Sequence, residues 1–118
     1  MLLKMMKSKI HRATVTGADL NYEGSVAIDQ ALIESAGFLP GEAVHLWNLS
    51  NGERLETYVI VAPRSSGEVR LNGAAARLAQ VGDLVIIVSF CWMDSTDASQ
   101  HSPEVVMVDE RNRAVRQA

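Results

Sequence analysis

A glycine directly before a serine, at Gly24-Ser25, is the pair in this chain with the most chemistry open to it. Glycine leaves the least hindered carbonyl and tolerates φ/ψ values that other residues resist. If the fold bends that peptide, Ser25 Oγ can attack the Gly24 carbonyl and turn the amide into an ester. Elimination from the ester leaves dehydroalanine, which hydrolyses to a pyruvoyl group at a new amino terminus. Such a protein-made ketone forms a Schiff base with an amine and accepts electrons as a bound cofactor would. Taken alone, the pair is more often ordinary loop, because loops favour both residues.

Other side chains could serve such a ketone. In a predicted strand, Arg54, Glu56 and Tyr58 point to one face and Leu55, Thr57 and Val59 to the other. Arg54 is suited to grip a carboxylate through two parallel hydrogen bonds. Tyr58 can donate a proton to a carbanion-like centre, and Thr57 and Asn72 can hydrogen-bond a developing oxyanion. Each has a plainer reading: an arginine near a hairpin is usually a solvated charge, and a strand tyrosine usually fills a barrel rim. Rival chemistries fit worse. His11, His45 and His101 lack metal-ligand spacing, and no Cys/His cluster accompanies them. The Gly-x-Ser-x-Gly pattern of a hydrolase is missing, as are phosphate-binding glycine loops. Pyridoxal phosphate would need a dedicated lysine and normally a larger fold.

These residues must be positioned by a chain of 118 residues, the size of one domain, with 47% hydrophobic content and a net charge of −3. That charge gives no reason to expect nucleic acid or an anionic membrane as partner. No apolar run approaches a membrane span, and Met1–Lys7 is broken by lysines, unlike a signal peptide. The lone Cys91 excludes an intrachain disulfide, so a cytoplasmic location is expected. Residues 9–16 read as a half-buried strand with Lys9, His11 and Ala13 on one face. Asp29 should cap a short helix, Gln30–Ala36, that stops at Gly37. Strands are expected over Ala43–Leu49 and Arg54–Val61, joined by the hairpin signal Asn51-Gly52, and over Val69–Leu71. One or two helical turns follow Asn72-Gly73. A doubly buried strand spans Leu84–Phe90, and a surface loop is expected from Met93 to Pro103. Val105–Val108 is the last strand, and residues 109–118 read as a flexible, solvated tail. Gly41-Glu42-Ala43-Val44 and Gly82-Asp83-Leu84-Val85 echo one another, which suggests two equivalent halves. Short, turn-punctuated strands predict a mainly β fold, a small closed barrel with a few short helices.

Lys9–Thr16, Tyr22-Glu23-Gly24-Ser25, Ala27-Ile28-Asp29, Val44–Asn48, Asn51–Tyr58, Asn72–Arg77 and Gly82–Ile87, in that order, together resemble the pyruvoyl-dependent aspartate 1-decarboxylases. The resemblance implies a double-psi β-barrel occupying residues 1–118. It implies a precursor that cuts itself between Gly24 and Ser25 and a covalent pyruvoyl group from Ser25, with no metal and no pyridoxal phosphate. The implied activity converts L-aspartate to β-alanine and carbon dioxide, toward pantothenate and coenzyme A. A homotetramer and an accessory maturation factor are the implied partners. By position, Tyr58 matches the proton donor, Thr57 a residue of cleavage and substrate contact, and Arg54 a carboxylate binder. Gly73, Ala74 and Ala75 match the substrate loop with Asn72 beside it. Lys9 matches a polar substrate-binding residue, and His11, Tyr22 and Trp47 match residues around the site. Val26 stands where a cysteine is common, and Cys91-Trp92-Met93 lies where the family varies. The alternative from another class is an uncleaved, non-catalytic barrel that binds or assembles, which would have no need of the Arg54, Thr57, Tyr58 and Asn72-Gly73-Ala74 set.

Overall fold

The computed structural model describes residues 1–115 of the chain. Nine strands form one continuous set of pairings: β1 (Leu2–Thr14), β2 (Gly17–Asp19), β3 (Ser25–Asp29), β4 (Ala43–Asn48), β5 (Arg54–Ala62), β6 (Val69–Asn72), β7 (Leu84–Asp94), β8 (Glu104–Val108) and β9 (Ala114–Val115). Their spatial order is β2-β6-β3-β5-β4-β7-β1-β8-β9. Two α-helices, α1 (Gln30–Ala36) and α2 (Ser95–Gln100), and a 3-10 helix at Gly73–Leu78 complete the fold. The core is built from strand residues that are mostly β-branched. Ile10, Val15, Val26, Ile28, Val44, Val59, Val69, Val85 and Ile87 are fully buried, together with Leu32, Leu46 and Leu71. Burying each is worth roughly 1.5–3 kcal/mol. Among the described residues no helix is long and apolar enough to cross a membrane.

The Gly-acid echo corresponds to a two-fold repeat. Gly41 N–H donates to the Val59 carbonyl and Val59 N–H to that of Glu42; Gly82 N–H likewise donates to Val15 and Val15 N–H to Asp83. The acid side chains repeat the pattern, Glu42 accepting from Leu39 N–H and Asp83 from Gln80 N–H, each at 2.9 Å. The axis runs between β4 and β7 and between β3 and β6, both antiparallel pairs. It exchanges β1 with β5, whose pairings with β7 and β4 correspond. This is the double-psi arrangement that the family resemblance implies. β3 pairs with β5 over a full parallel ladder, Val26–Asp29 against Val59–Ala62. At the equivalent seam β1 itself forms no ladder with β6; the partner there is β2, the strand that follows β1, whose Gly17–Asp19 pair in parallel with Arg70–Asn72, and the strand order runs from β2 to β9 without returning on itself. Thr16 opens that ladder, donating its N–H to the Val69 carbonyl and accepting Val69 N–H on Oγ1, both at 2.9 Å.

Helix α1 follows its sequence signals. Asp29 caps it by accepting Ala31 N–H at 2.8 Å, and it ends at Gly37 with Ile33 and Ala36 buried. Other elements differ from expectation. β1 begins at Leu2, because Leu2–Met6 pairs with Phe90–Asp94, which extends β7 as well. Neither segment alternates well enough alone; each is a strand because the other is there. Arg12 adopts φ 66° in a bulge between Ile10 and Ala13, so Ala13 enters the core rather than sharing a face with Lys9 and His11. The expected loop from Met93 to Pro103 contains α2, because Asp94 accepts Asp97 N–H at 2.8 Å and Ala98 is buried beneath it. The expected tail folds back through β9. Asp109 accepts the N–H groups of Arg111 and Arg113, and Asn112 is buried. The rest of that tail, residues 116–118, lies outside the described residues.

Candidate active site

The Gly24-Ser25 peptide sits where the chain steps across the end of β6. β2 runs parallel to β6 on one edge, Asp19 opposite Asn72. β3 runs antiparallel on the other edge, Ser25 opposite the same Asn72. Residues 20–24 therefore cross from one edge to the other just beyond Asn72, over the start of the 3-10 helix. Gly73, at φ 65°, lies directly beneath. A Cβ there would stand 2.7 Å from Gly24 Cα, 2.8 Å from Gly24 N and 3.1 Å from the Tyr22 carbonyl oxygen. Only glycine allows this approach and this φ together.

The crossing takes the chain from solvent into the core between two adjacent residues. Gly24 is exposed, whereas Ser25 is only 1% exposed and Asn72 fully buried. Ser25 Oγ donates to the Glu23 carbonyl at 3.2 Å, a bond that spans Gly24 and turns the hydroxyl back along the peptide. The same oxygen accepts from Asn72 Nδ2 at 3.0 Å. Asn72 Oδ1 is buried with no hydrogen-bond partner. An unpaired buried carbonyl of this kind costs about 1–3 kcal/mol. Its amide is thus held at Ser25 with unused accepting capacity.

A cavity of about 360 Å³ opens beside this peptide, lined by Gly24, Leu55–Tyr58, Ala74, Ala75 and Leu78. β4 covers one edge of β5 from Arg54 to Tyr58, but β3 joins the other edge only at Val59. The stretch 55–58 therefore has a free edge facing Gly24, and residues from both of its faces reach the cavity. Thr57 is half-buried there and Tyr58 is 39% exposed.

Ser25, Gly24, Asn72, Gly73, Ala74, Ala75, Thr57 and Tyr58 are thus gathered in one place, with the Tyr22 carbonyl against Gly73. Arg54, Trp47, Lys9 and His11 do not line the cavity. Arg54 lies opposite Trp47 on the β4–β5 pair and stacks its guanidinium 4.5 Å from the indole centroid. Lys9 and His11 are on β1, beyond β4 and β7 in the spatial order. Burial, and then the charges of Lys9 and Arg12, hold the His11 pKa below its usual value, and its Nδ1 is buried without a partner. Among the described residues no group of three His, Cys, Asp or Glu side chains is arranged to hold a metal ion.

Three participants were not singled out from sequence. The Glu23 carbonyl acts through its backbone and leaves no side-chain signal. Leu78 reaches the cavity because its carbonyl accepts from Asn48 and Asn51, at 3.1 and 3.0 Å, which anchors the end of the 3-10 helix. Glu56 reaches it from the free edge and lies 3.4 Å from His45 Nε2.

The family model described as aspartate decarboxylase matches residues 1–115. A protein of Carboxydothermus hydrogenoformans named aspartate 1-decarboxylase is 56% identical, over 98% of this chain and 91% of its own length. One of Pelotomaculum thermopropionicum with the same name is 59% identical, over 98% and 87%. One of Maricaulis maris, also so named, is 56% identical, over 98% and 95%. Among solved structures, the computationally designed msDPBB_sym2 protein is similar at a TM-score of 0.44 and 21% identity, over 74% of this chain and 96% of that one.

Proposed function

The chain belongs to the aspartate decarboxylase family, and from that premise we propose that it converts L-aspartate to β-alanine and carbon dioxide at a ketone made from its own Ser25. The observation that carries the reading is the doubly bonded Ser25 hydroxyl, held by Asn72 and turned back over Gly24 at the edge of a cavity.

Self-processing balances with water as the only added reactant. Ser25 Oγ bonds to the Gly24 carbonyl carbon, the Gly24–Ser25 C–N bond breaks, and the hydroxyl proton ends on the freed Ser25 nitrogen. Loss of the Ser25 Cα proton then expels the Gly24 carboxylate from Cβ and leaves dehydroalanine. Its imine tautomer takes up water and releases ammonia. The Asn72 amide polarises the region in which the oxyanion forms, and Thr57 stands on the cavity wall beside the same peptide. The surroundings fit the resulting group: Asn72 Nδ2 is a buried donor at Ser25, suited to a ketone that can only accept, and Asn72 Oδ1 is left free to take an N–H of an amine-bearing substrate. Once formed, that ketone supplies an electron sink for an amine-bearing substrate. Tyr58, on the same cavity wall, gives a proton to the carbon that has lost its carboxylate.

Arg54 binds a substrate carboxylate, and Lys9 stands with it as a substrate-binding residue. Both lie off the cavity within one chain, which supports a tetramer in which neighbouring subunits complete each site. Light scattering of a fully active monomer would contradict that assembly. The processing step is tested by Ser25→Ala. The variant should run as one chain on a denaturing gel and make no β-alanine, while the parent chain gives fragments 1–24 and 25–118 by intact mass. Cutting of Ser25→Ala at the same bond would refute the mechanism.

A further inference from the structure

Just ahead of the β2–β6 ladder, the gap between the end of β1 and the approach to β6 is spanned by a side chain from far along the sequence. Asn112 sits in the turn between β8 and β9 at φ 60° and is 1% exposed. Its Oδ1 accepts Thr14 N–H and its Nδ2 donates to the Thr14 carbonyl, both at 2.8 Å. That reciprocal pair is the bond pattern one strand residue offers another, supplied here by a side-chain amide. The second Nδ2 hydrogen reaches the Gly67 carbonyl, also at 2.8 Å. The turn is pressed against the same place: a Cβ on Gly67 would stand 2.6 Å from the Arg111 carbonyl oxygen. Gly67 N–H is held from the other side by Asp29 Oδ2 at 2.9 Å.

Thr14 and Gly67 are the roots of the two strands that frame the cleavage site. Thr14 leads through Thr16, with its bonds to Val69, into β2; Gly67 leads into β6. Between them β2 and β6 carry Asp19 and Asn72, the last paired residues before the chain crosses to Gly24 and Ser25. The longitudinal setting of β6 therefore decides where Asn72 meets Ser25 Oγ and where Gly73 meets Gly24. We propose that Asn112 is a positioning residue for self-processing, in which the β8–β9 turn clips Thr14 to Gly67 at the start of the β2–β6 ladder and thereby fixes β6 and Asn72 against the Gly24-Ser25 peptide. This inference rests on the self-processing reading above.

The test follows cleavage of the full chain by intact mass for the parent, Asn112→Ala, Asn112→Asp and Ile33→Val. The last is a core variant on α1 that lies outside the seam and the site, and it controls for general loss of stability. Cleavage of Asn112→Ala should slow roughly tenfold to a hundredfold, the scale of a sub-ångström misplacement, while Ile33→Val keeps close to the parent rate. Asn112→Asp gives a signature that simple destabilisation does not. Its carboxylate would face the Thr14 and Gly67 carbonyls, so the ionised form is repelled. The protonated acid can accept Thr14 N–H and donate to the Thr14 carbonyl as the amide does. Its rate relative to the parent at each pH should therefore recover as pH falls, with Arg111 and Arg113 on the same turn limiting how high the acid titrates. Parent-like cleavage of Asn112→Ala, or slowing no greater than that of Ile33→Val, overturns the clip alone. A parent chain that never cuts itself overturns the processing reading and this inference with it.

Discussion

Gly73→Ala is the substitution whose effect follows most directly from distances. The added methyl would lie 2.7 Å from Gly24 Cα and 2.8 Å from Gly24 N. Ordinary carbon contacts begin near 3.4 Å, so the two backbones must part by about 0.7 Å. Both are backbone, so no side chain can swing aside. A non-glycine residue at φ 65° adds about 1–2 kcal/mol of strain. Gly52→Ala separates these effects. Gly52 has φ 79°, but a Cβ there meets nothing within 4 Å, so that variant carries strain without displacement. Moving Gly24 away from the Ser25 hydroxyl by such a distance should slow cleavage roughly tenfold to a hundredfold. Gly52→Ala should lower the melting temperature and leave the cleavage rate near that of the parent. Time courses of intact mass for both purified precursors measure this. Equal cleavage rates for Gly73→Ala and Gly52→Ala would refute the argument that the cradle sets the reacting geometry.

Two further outcomes are expected. Tyr58→Phe should still cut at Gly24-Ser25, because that step needs no proton donor at the substrate carbon. Its β-alanine production, followed by chromatography, should fall by roughly two to four orders of magnitude; near-normal output would move the donor role elsewhere. Asp29 links acid stability to the fold. Burial alone would raise its carboxyl pKa, but the N–H groups of Gly67, Ala31 and Ser65, with the charge of Arg113, hold it below its ordinary value. A depressed folded pKa gives stability that is present above about pH 4, the unfolded range, and is lost as pH falls through the lower folded value. Asp29→Asn should therefore lose about 1–3 kcal/mol near neutrality and show a shallower decline below about pH 4 in urea titrations. Identical acid slopes for the two proteins would contradict this.

Much of the site was legible because its signals are local. Asp29 and Gly37 bracket α1 through side-chain and backbone chemistry carried within a few residues. Gly24-Ser25 and Asn72-Gly73 are each visible as dipeptides, though only β6 makes them neighbours. The Gly-acid echo held because each acid closes a turn three residues back onto Leu39 or Gln80. What sequence hid is what depends on distant partners. Leu2–Met6 is a strand only through Phe90–Asp94, and Ala13 enters the core only because Arg12 bulges. Asn112 looks like a loop residue until Thr14 and Gly67 appear beside it. Arg54 alternates correctly along β5, yet its guanidinium stacks on Trp47 and does not line the cavity.

The internal two-fold has a consequence for why only one bond is marked for cutting. It carries Asp29 onto Asn72, each the last residue of a strand before a helix, and so carries the peptide Gly24-Ser25 onto Gly67-Glu68. The chain thus holds two copies of one crossing, and they have specialised apart. In the first, a hydroxyl follows the glycine and an amide with an idle oxygen attends it. In the second, a glutamate follows the glycine, and the attending carboxylate is occupied by the N–H groups of Ser65 and Gly67. The Arg111 carbonyl closes over that glycine, where the first copy leaves Gly24 open. A serine at position 68 would still find no idle amide, and the Gly67 carbonyl it would have to attack is already bonded to Asn112 Nδ2, so reactivity belongs to the surroundings of one copy and the second works as its inert fastening.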